Sequence, residues 1–306
     1  MSALEIIRYY QTQNRCYIEA LEEGYRLTPS GAVVHSTGAN NPKISRYVGP
    51  DDGILGPNKY GNHWNKESAN KCVHAWIGKV ADGSLKIYQT LPWHYPCWGV
   101  GSGKKGSYNA SHIQLEICED GLKDAAYYRE AFALAAKLCA YLCQEFGIKP
   151  ENVVGHYEAW AAGYGSNHGD PKNWQRKHGG SMDSFRAEVA ALAAGEKIEL
   201  QVIESPGPIQ NETPKAETPG NAAGTAQDAP KVQGGVNMPT IRNGAQGTAV
   251  KVMQRLLMLQ GAKLSGHGVD GKCGAETVAA VKAFQTAHNL SPDGICGPLT
   301  WAALAG

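Results

Sequence analysis

The sequence predicts a mixed-sheet α/β domain followed by a small all-α domain of three helices. Three observations carry that expectation. Between residues 31 and 194, short apolar runs of strand character alternate with well-patterned helical stretches. From 196 to 236 the composition changes to five Pro, five Gly, six acidic and three basic residues, with no aromatic. Such a stretch buries too little apolar surface to offset its ordering entropy, so it reads as a flexible linker. Beyond it, apolar residues at helical spacing recur in three short segments. The expected organisation is therefore a first domain over 1–195, a linker over 196–236 and a second domain over 237–306.

Residues 3–24 read as one or two short helices, with Tyr9, Tyr10, Cys16 and Tyr17 as core candidates. Gly31-Ala32-Val33-Val34-His35 reads as a buried strand. Residues 37–63 hold Gly, Pro and Asn throughout and form a loop that begins directly after His35. Loops beside a rigid element commonly shape access to a site. Cys72 to Gly78 is a second strand, Ala81-Asp82-Gly83-Ser84 a turn, and residues 85–90 alternate with period two, which predicts a hairpin. Ile113, Leu115 and Ile117 alternate with Gln114, Glu116 and Cys118, so a strand there sends Glu116 to the face opposite the aliphatic set. Residues 124–146 form the best helix. Tyr127, Ala131, Leu134, Leu138 and Leu142 follow its period, and Gly147 is placed to cap its end. Val153-Val154 leads into Gly155 and His156. Residues 183–194 close the domain as a helix with Phe185, Val189 and Leu192 on one side.

In the second domain, Ala249, Val252, Met253, Leu256 and Leu257 mark one helix. Val278, Val281 and Phe284 mark another, and residues 298–304, with Trp301, a short third. Residues 269–277 (VDGKCGAET) echo residues 292–300 (PDGICGPLT). Each Asp-Gly reads as a turn and each Thr as a cap for the helix that follows.

The chain has 306 residues, room for two or three domains at about 150 residues each. Its 42% hydrophobic and 19% charged content is that of an ordinary soluble globular protein. A formal net charge of +1 gives no electrostatic reason to expect nucleic acid or an anionic membrane as partner. No run approaches the ~20 apolar residues of a membrane helix. The N-terminus lacks a basic stretch followed by an apolar core, so the expectation is synthesis in the cytoplasm without a signal peptide. Eight cysteines occur without a CxxC pair, which reads as reduced, mostly buried thiols. Cys139 and Cys143 could face one metal on a helix, but an Ala/Leu-rich run favours core packing.

The chemistry concentrates in residues 153–174, VVGHYEAWAAGYGSNHGDPKNW. His156 and Asp170 bracket a Gly-rich loop, and imidazole with carboxylate suits Zn²⁺. His35, at the end of an apolar run, offers a third ligand. Glu116 offers the carboxylate a metal hydrolase needs as acid and base, with Glu119 and Asp120 as neighbours that could take the role. His168 reads either as a second catalytic group or as a surface histidine. His63, His74 and His178 read as spectators; His94 and His112 are spectators or cleft residues. Trp64, Trp93 and Trp98 either pack loops or form a stacking surface.

VVHSTGANNP at 33–42, HIQLEICED at 112–120 and SNHGDP at 166–171 resemble the zinc-dependent N-acetylmuramoyl-L-alanine amidases, whose fold is shared with the peptidoglycan-recognition proteins. The resemblance spans residues 28–174. It implies His35, His156 and Asp170 as zinc ligands, Glu116 as the acid/base and His168 as a second catalytic group. Some relatives place Cys at the third ligand and Lys two residues before it, where this chain has Asp170 and His168. Residues 239–306 resemble the small three-helix peptidoglycan-binding module. Cys273 and Cys296 stand where that module usually has an apolar residue, which permits a bridge if the two turns meet.

The resemblance implies a zinc hydrolase that cleaves the amide between N-acetylmuramic acid and L-alanine, with cell-wall peptidoglycan as its partner. A bacteriolytic endolysin, released to the wall during host lysis, fits the lack of a signal peptide. Two other readings stand beside it: a non-catalytic peptidoglycan-recognition protein, against which the intact ligand set argues, and a zinc peptidase acting on another stem-peptide bond.

Overall fold

In the computed structural model the described residues are 3–207, 240–264, 266–288 and 290–305. The chain divides into two compact units, Met1–Ser205 and Pro206–Gly306.

The first unit is built on a seven-stranded mixed sheet in the order β6-β2-β5-β3-β4-β1-β7. The strands are β1 (Leu4–Arg8), β2 (Gly31–Ser36), β3 (Ala75–Lys79), β4 (Leu85–Gln89), β5 (His112–Ile117), β6 (Val153–Gly155) and β7 (Leu200–Glu204). β3 and β4 form the expected antiparallel hairpin, and the other neighbours pair in parallel. One face carries Ile6, Val34, Ile113, Leu115 and Ile117 into the main core, where helices α2 (Ala125–Phe146) and α5 (Met182–Ala193) cover them. The opposite face carries a second, aromatic cluster of Tyr47, Trp76 and Tyr88.

The long helix forms as its pattern predicts. Asp124 accepts from the Ala126 and Tyr127 amides at 2.8 and 3.1 Å, satisfying two donors of the first turn. Gly147, at φ 65°, ends it in a left-handed conformation that a side chain disfavours. Cys139 and Cys143 are buried thiols in the core beneath it.

Three expectations for this unit are corrected. Residues 4–8 form a strand, not a helix, because β1 fills a slot between β4 and β7, and Leu4 and Ile6 reach the core from it. A short apolar run suits either state, and the sheet decides. Residues 200–204 belong to the folded unit rather than to a linker starting at 196. β7 pairs with β1 along its whole length. Gln144 donates to the Ala193 and Glu196 carbonyls and accepts from the Ile198 amide, and Arg8 pairs with Glu204 at 2.5 Å. The rest of the expected linker, 208–236, lies outside the described residues. Finally, Cys16 and Cys72 are joined in a disulfide. It ties helix α1 (Arg15–Glu22) to the segment before β3. Sequence spacing alone gives no sign that these two thiols meet.

The second unit holds α6 (Thr248–Leu259), α7 (Ala275–Ala287) and α8 (Pro298–Ala305), as expected. Val252, Met253, Leu257, Val281, Phe284, Trp301 and Leu304 form its buried interior. The echo between its turns has a structural basis that corrects the expected caps. Thr277 and Thr300 are each the third residue of a helix, and each accepts from a buried glutamine amide at 3.0 Å. Gln254 also donates to Asp270 and the Lys272 carbonyl and accepts from the Gly271 amide. Gln285 repeats the pattern with Asp293, the Ile295 carbonyl and the Gly294 amide. Cys273 and Cys296 are buried free thiols. Among the described residues, no helix is long and apolar enough to cross a membrane.

Candidate metal centre

Four elements deliver the site. His35 lies on β2, and Glu116 lies beside it in register on β5. Val34 pairs with Gly155 at the end of β6. His156 therefore emerges next to His35 as the first residue of α3 (His156–Ala162). Asp170 comes from the loop that precedes α4 (Lys172–Lys177).

Ligand atoms of His35, His156 and Asp170 lie within 4.8 Å of one another. The two Nδ1 atoms are 3.0 Å apart. Asp170 Oδ2 is 3.3 Å from His35 Nδ1, and Oδ1 is 3.4 Å from His156 Nδ1. Both imidazoles are 2% exposed, which removes water as an alternative partner.

The remote nitrogens explain the chemistry of this cluster. His35 Nε2 is 3.0 Å from Gln114 Oε1, and His156 Nε2 is 3.1 Å from the Val100 carbonyl and 3.3 Å from Ser166 Oγ. With each Nε2–H donating outward, both Nδ1 lone pairs face the same point as the Asp170 carboxylate. Two lone pairs and an anion at these separations repel unless a positive charge sits among them. A proton on one Nδ1 answers part of this; a divalent cation answers all three atoms at once. Two imidazole nitrogens and a carboxylate oxygen form a donor set that fits zinc with a position left open. Burial opposes ionisation of Asp170, but hydrogen bonds from His156 and His35, made when Nδ1 carries a proton, outweigh it and hold the carboxyl well below the usual carboxylate range.

Glu116 is half-buried, and its Oε2 is buried without a hydrogen-bond partner. Burial pushes its carboxyl well above the ordinary range, and the negative charges of Asp170 and Glu119 add to the rise. The two neighbouring acids are engaged elsewhere. Glu119 accepts from Ser36 Oγ at 2.5 Å. Asp120 accepts from the amides of Lys123 and Asp124, just before α2.

His168 is exposed and stacks on His156, with ring centroids 4.6 Å apart. Its Nδ1 lies 2.9 Å from Ser166 Oγ, so Nε2 is the nitrogen left for a ligand. A cleft of about 550 Å³ opens here, lined by Thr37, Asn40, Glu119, Leu122, His168 and Asp170 among others.

The spectator histidines fall elsewhere. His74 is fully buried, accepts from the Gln114 amide, and faces the Tyr95 carbonyl; burial lowers its pKa to about 4. His112 stacks on Tyr108 and is outside the cleft lining. Trp64 packs edge-on against Trp76, Trp93 packs on the main core, and Trp98 packs beside the Cys16–Cys72 pair, so packing is their observed role. Sequence reading passed over Gln114, Asn109 and Ser166. Gln114 had one signal: it shares a strand face with Glu116.

The mixed sheet brings together two buried imidazoles and a carboxylate that could hold a metal ion. Residues 25–173 match the family model described as N-acetylmuramoyl-L-alanine amidase. Residues 246–304 match a peptidoglycan-binding domain model. The chain is 30% identical over 201 residues to the N-acetylmuramoyl-L-alanine amidase CwlL of Bacillus licheniformis, covering 66% of this chain and 46% of that protein. It is 26% identical over 290 residues to the N-acetylmuramoyl-L-alanine amidase XlyA of Bacillus subtilis strain 168, covering 88% of each. The solved catalytic domain of XlyA aligns at a TM-score of 0.40 and 26% identity, over 60% of this chain and 98% of that one. The chain spans about half the length of two Bacillus licheniformis relatives, 47% and 46%.

Proposed function

We propose that this chain is a zinc-dependent N-acetylmuramoyl-L-alanine amidase. It hydrolyses the amide between the lactyl group of N-acetylmuramic acid and L-alanine. The observation that carries this reading is the convergence of His35, His156 and Asp170 beside an in-register Glu116 whose carboxyl holds its proton unusually well.

His35, His156 and Asp170 would hold the ion. Zinc, when bound, supplies Lewis acidity and lowers the pKa of a coordinated water to about 7. Glu116 takes the proton of the attacking water and returns it to the leaving amide nitrogen, a double duty that a raised pKa suits. His168 sits over His156 with Nδ1 facing Ser166, whose hydroxyl donates to the Val100 carbonyl, so as imidazolium it would donate from Nε2 to the developing oxyanion. The cleft beside Asp170 would take the substrate chain.

The second unit would hold the enzyme on the wall. Residues 239–306 carry six basic residues and three acidic ones, a net of +3 (6 − 3). They carry no paired carboxylates suited to hydrolysis. In this reading the protein is an endolysin that reaches peptidoglycan after its release.

The test is mass spectrometry of purified sacculi digested by the whole chain. New free amino groups on L-alanine are expected. New termini at a D-amino acid, or no soluble fragments from any wall type, would overturn the reading.

A further inference from the structure

The loop from Gly99 to Asn109 does more than join two strands. The backbone of Val100 connects to both histidines of the metal centre, to His156 directly and to His35 through Asn109 and Gln114. Its carbonyl lies 3.1 Å from His156 Nε2. Its amide donates to Asn109 Oδ1 at 3.1 Å. That same Oδ1 accepts from Gln114 Nε2 at 3.0 Å, and Gln114 Oε1 lies 3.0 Å from His35 Nε2.

The directions along this chain are forced. A backbone amide can only donate, so the Asn109 atom facing it is the oxygen. An oxygen there requires the Gln114 atom facing it to be the NH₂ group. Gln114 must then present its oxygen to His35, and the proton of His35 must sit on Nε2. Gln114 is fully buried, so water offers it no competing partner. On the other branch a carbonyl can only accept, so the His156 proton also sits on Nε2.

Two glycines make the approach possible. A Cβ on Gly99 would collide with Gln114 Oε1, and one on Gly101 would come within 2.7 Å of Ser166 Oγ. Gly99 and Gly101 thus flank Val100 because side chains there would push out the partners of His35 and His156.

We propose that Gln114 and Asn109 are positioning residues for the metal centre. They relay the direction of the Val100 amide to His35, fix its tautomer, and so aim its Nδ1 lone pair at the same point as that of His156. The proposal deepens the zinc reading above and rests on it for its biological meaning. It assigns no catalytic step to either residue.

The experiment compares wild type with Gln114→Leu and Gln114→Glu. Leucine has similar bulk but no acceptor; glutamate keeps an acceptor at the same reach. Two quantities are measured. One is zinc affinity by competition with a chromogenic chelator. The other is the tautomer of His35 from ¹H–¹⁵N NMR of the metal-free protein. Gln114→Leu is expected to weaken zinc binding about 10–100-fold, the usual scale for losing a group that orients a ligand. Its His35 should become a mixture of tautomers. Gln114→Glu keeps an acceptor for His35 but sets a second oxygen against Asn109 Oδ1, so it should keep the Nε2–H form while losing the link to Asn109. Asn109→Ala, at a half-buried site, should shift the tautomer in the same direction and carries the decision if Gln114→Leu does not fold.

Unchanged affinity and an unchanged tautomer in the leucine variant, or in Asn109→Ala where it stands in, would overturn the relay. The tautomer needs no metal, so it decides the relay even if wild type bound no zinc. Absence of zinc binding in wild type would instead overturn the proposed function.

Discussion

Replacing Glu116 with Gln should separate catalysis from folding with opposite signs. The substitution keeps shape and removes only the ability to exchange a proton. A positioned general base contributes about 10²–10⁴-fold, which is about 2.7–5.4 kcal/mol of barrier at 1.36 kcal/mol per tenfold. Release of soluble fragments from sacculi should fall by that factor. Stability should not fall. Glu116 Oε2 is buried without a partner, and Asp170 and Glu119 add negative charge beside it. Folding therefore raises the carboxyl's pKa, so the wild-type group disfavours the fold once ionised. That penalty is absent below the unfolded pKa and grows as pH rises towards the folded value. In metal-free protein the glutamine variant should melt at or above wild type at pH 7, and the difference should shrink towards pH 4. Zinc content should stay at about one per chain. Activity within about fivefold of wild type, where the base should count for at least 10², would refute Glu116 as the base. A lower melting temperature at pH 7 would refute the electrostatic account of its surroundings.

Three further outcomes are expected. His35→Ala should leave the chain without tightly bound zinc and without activity, checked by metal analysis after gel filtration; retention of both would remove His35 from the ligand set. His74 is fully buried with its pKa lowered to about 4, so its contribution to stability is present above the unfolded value of about 6.5 and is lost as pH falls between the two. Urea titrations at pH 7 and pH 4 should differ by about 3 kcal/mol from this group, and His74→Gln should remove that share; an unchanged pH dependence would show that His74 is not the sensor. Gln254→Leu and Gln285→Leu each delete four hydrogen bonds in the second unit. Each should destabilise that unit by about 2–4 kcal/mol, at roughly 1 kcal/mol per bond with partners left buried. Trp301 fluorescence during denaturation reads this unit, and a loss under about 0.5 kcal/mol, half the worth of one bond, would mean the amides are replaceable by water.

Much of the molecule is legible one segment at a time. The helix at 125–146 follows from apolar residues at its own period, a capping Asp124 and a terminal Gly147. The β3–β4 hairpin follows from alternation on both sides of a turn. The placement of Glu116 opposite the aliphatic face needs only the two-residue period of a strand. His35, His156 and Asp170 were candidates because of residue type, neighbouring motifs and family resemblance; the parallel pairing of β2 with β6 sets His156 beside His35, and the loop before α4 brings Asp170 to them.

What local pattern could not supply depends on partners distant in sequence. β1 is a strand because β4 and β7 flank it, and β7 is ordered because β1 does, although its residues sit in a polar, Pro-bearing stretch. Cys16 and Cys72 meet only after α1 docks. Thr277 and Thr300 look like caps in isolation, and become acceptors once Gln254 and Gln285 reach them. The tautomers of the two histidines belong to this class as well. A ring nitrogen's proton is set by whichever atom faces it, and here those atoms come from Gln114 and from the Val100 peptide. Sequence by itself determined which side chains could do metal chemistry and the elements that carry most of them. Tertiary structure decided which strands pair, which thiols join and which lone pairs point inward, because each of these depends on atoms that only folding brings within a hydrogen bond's reach.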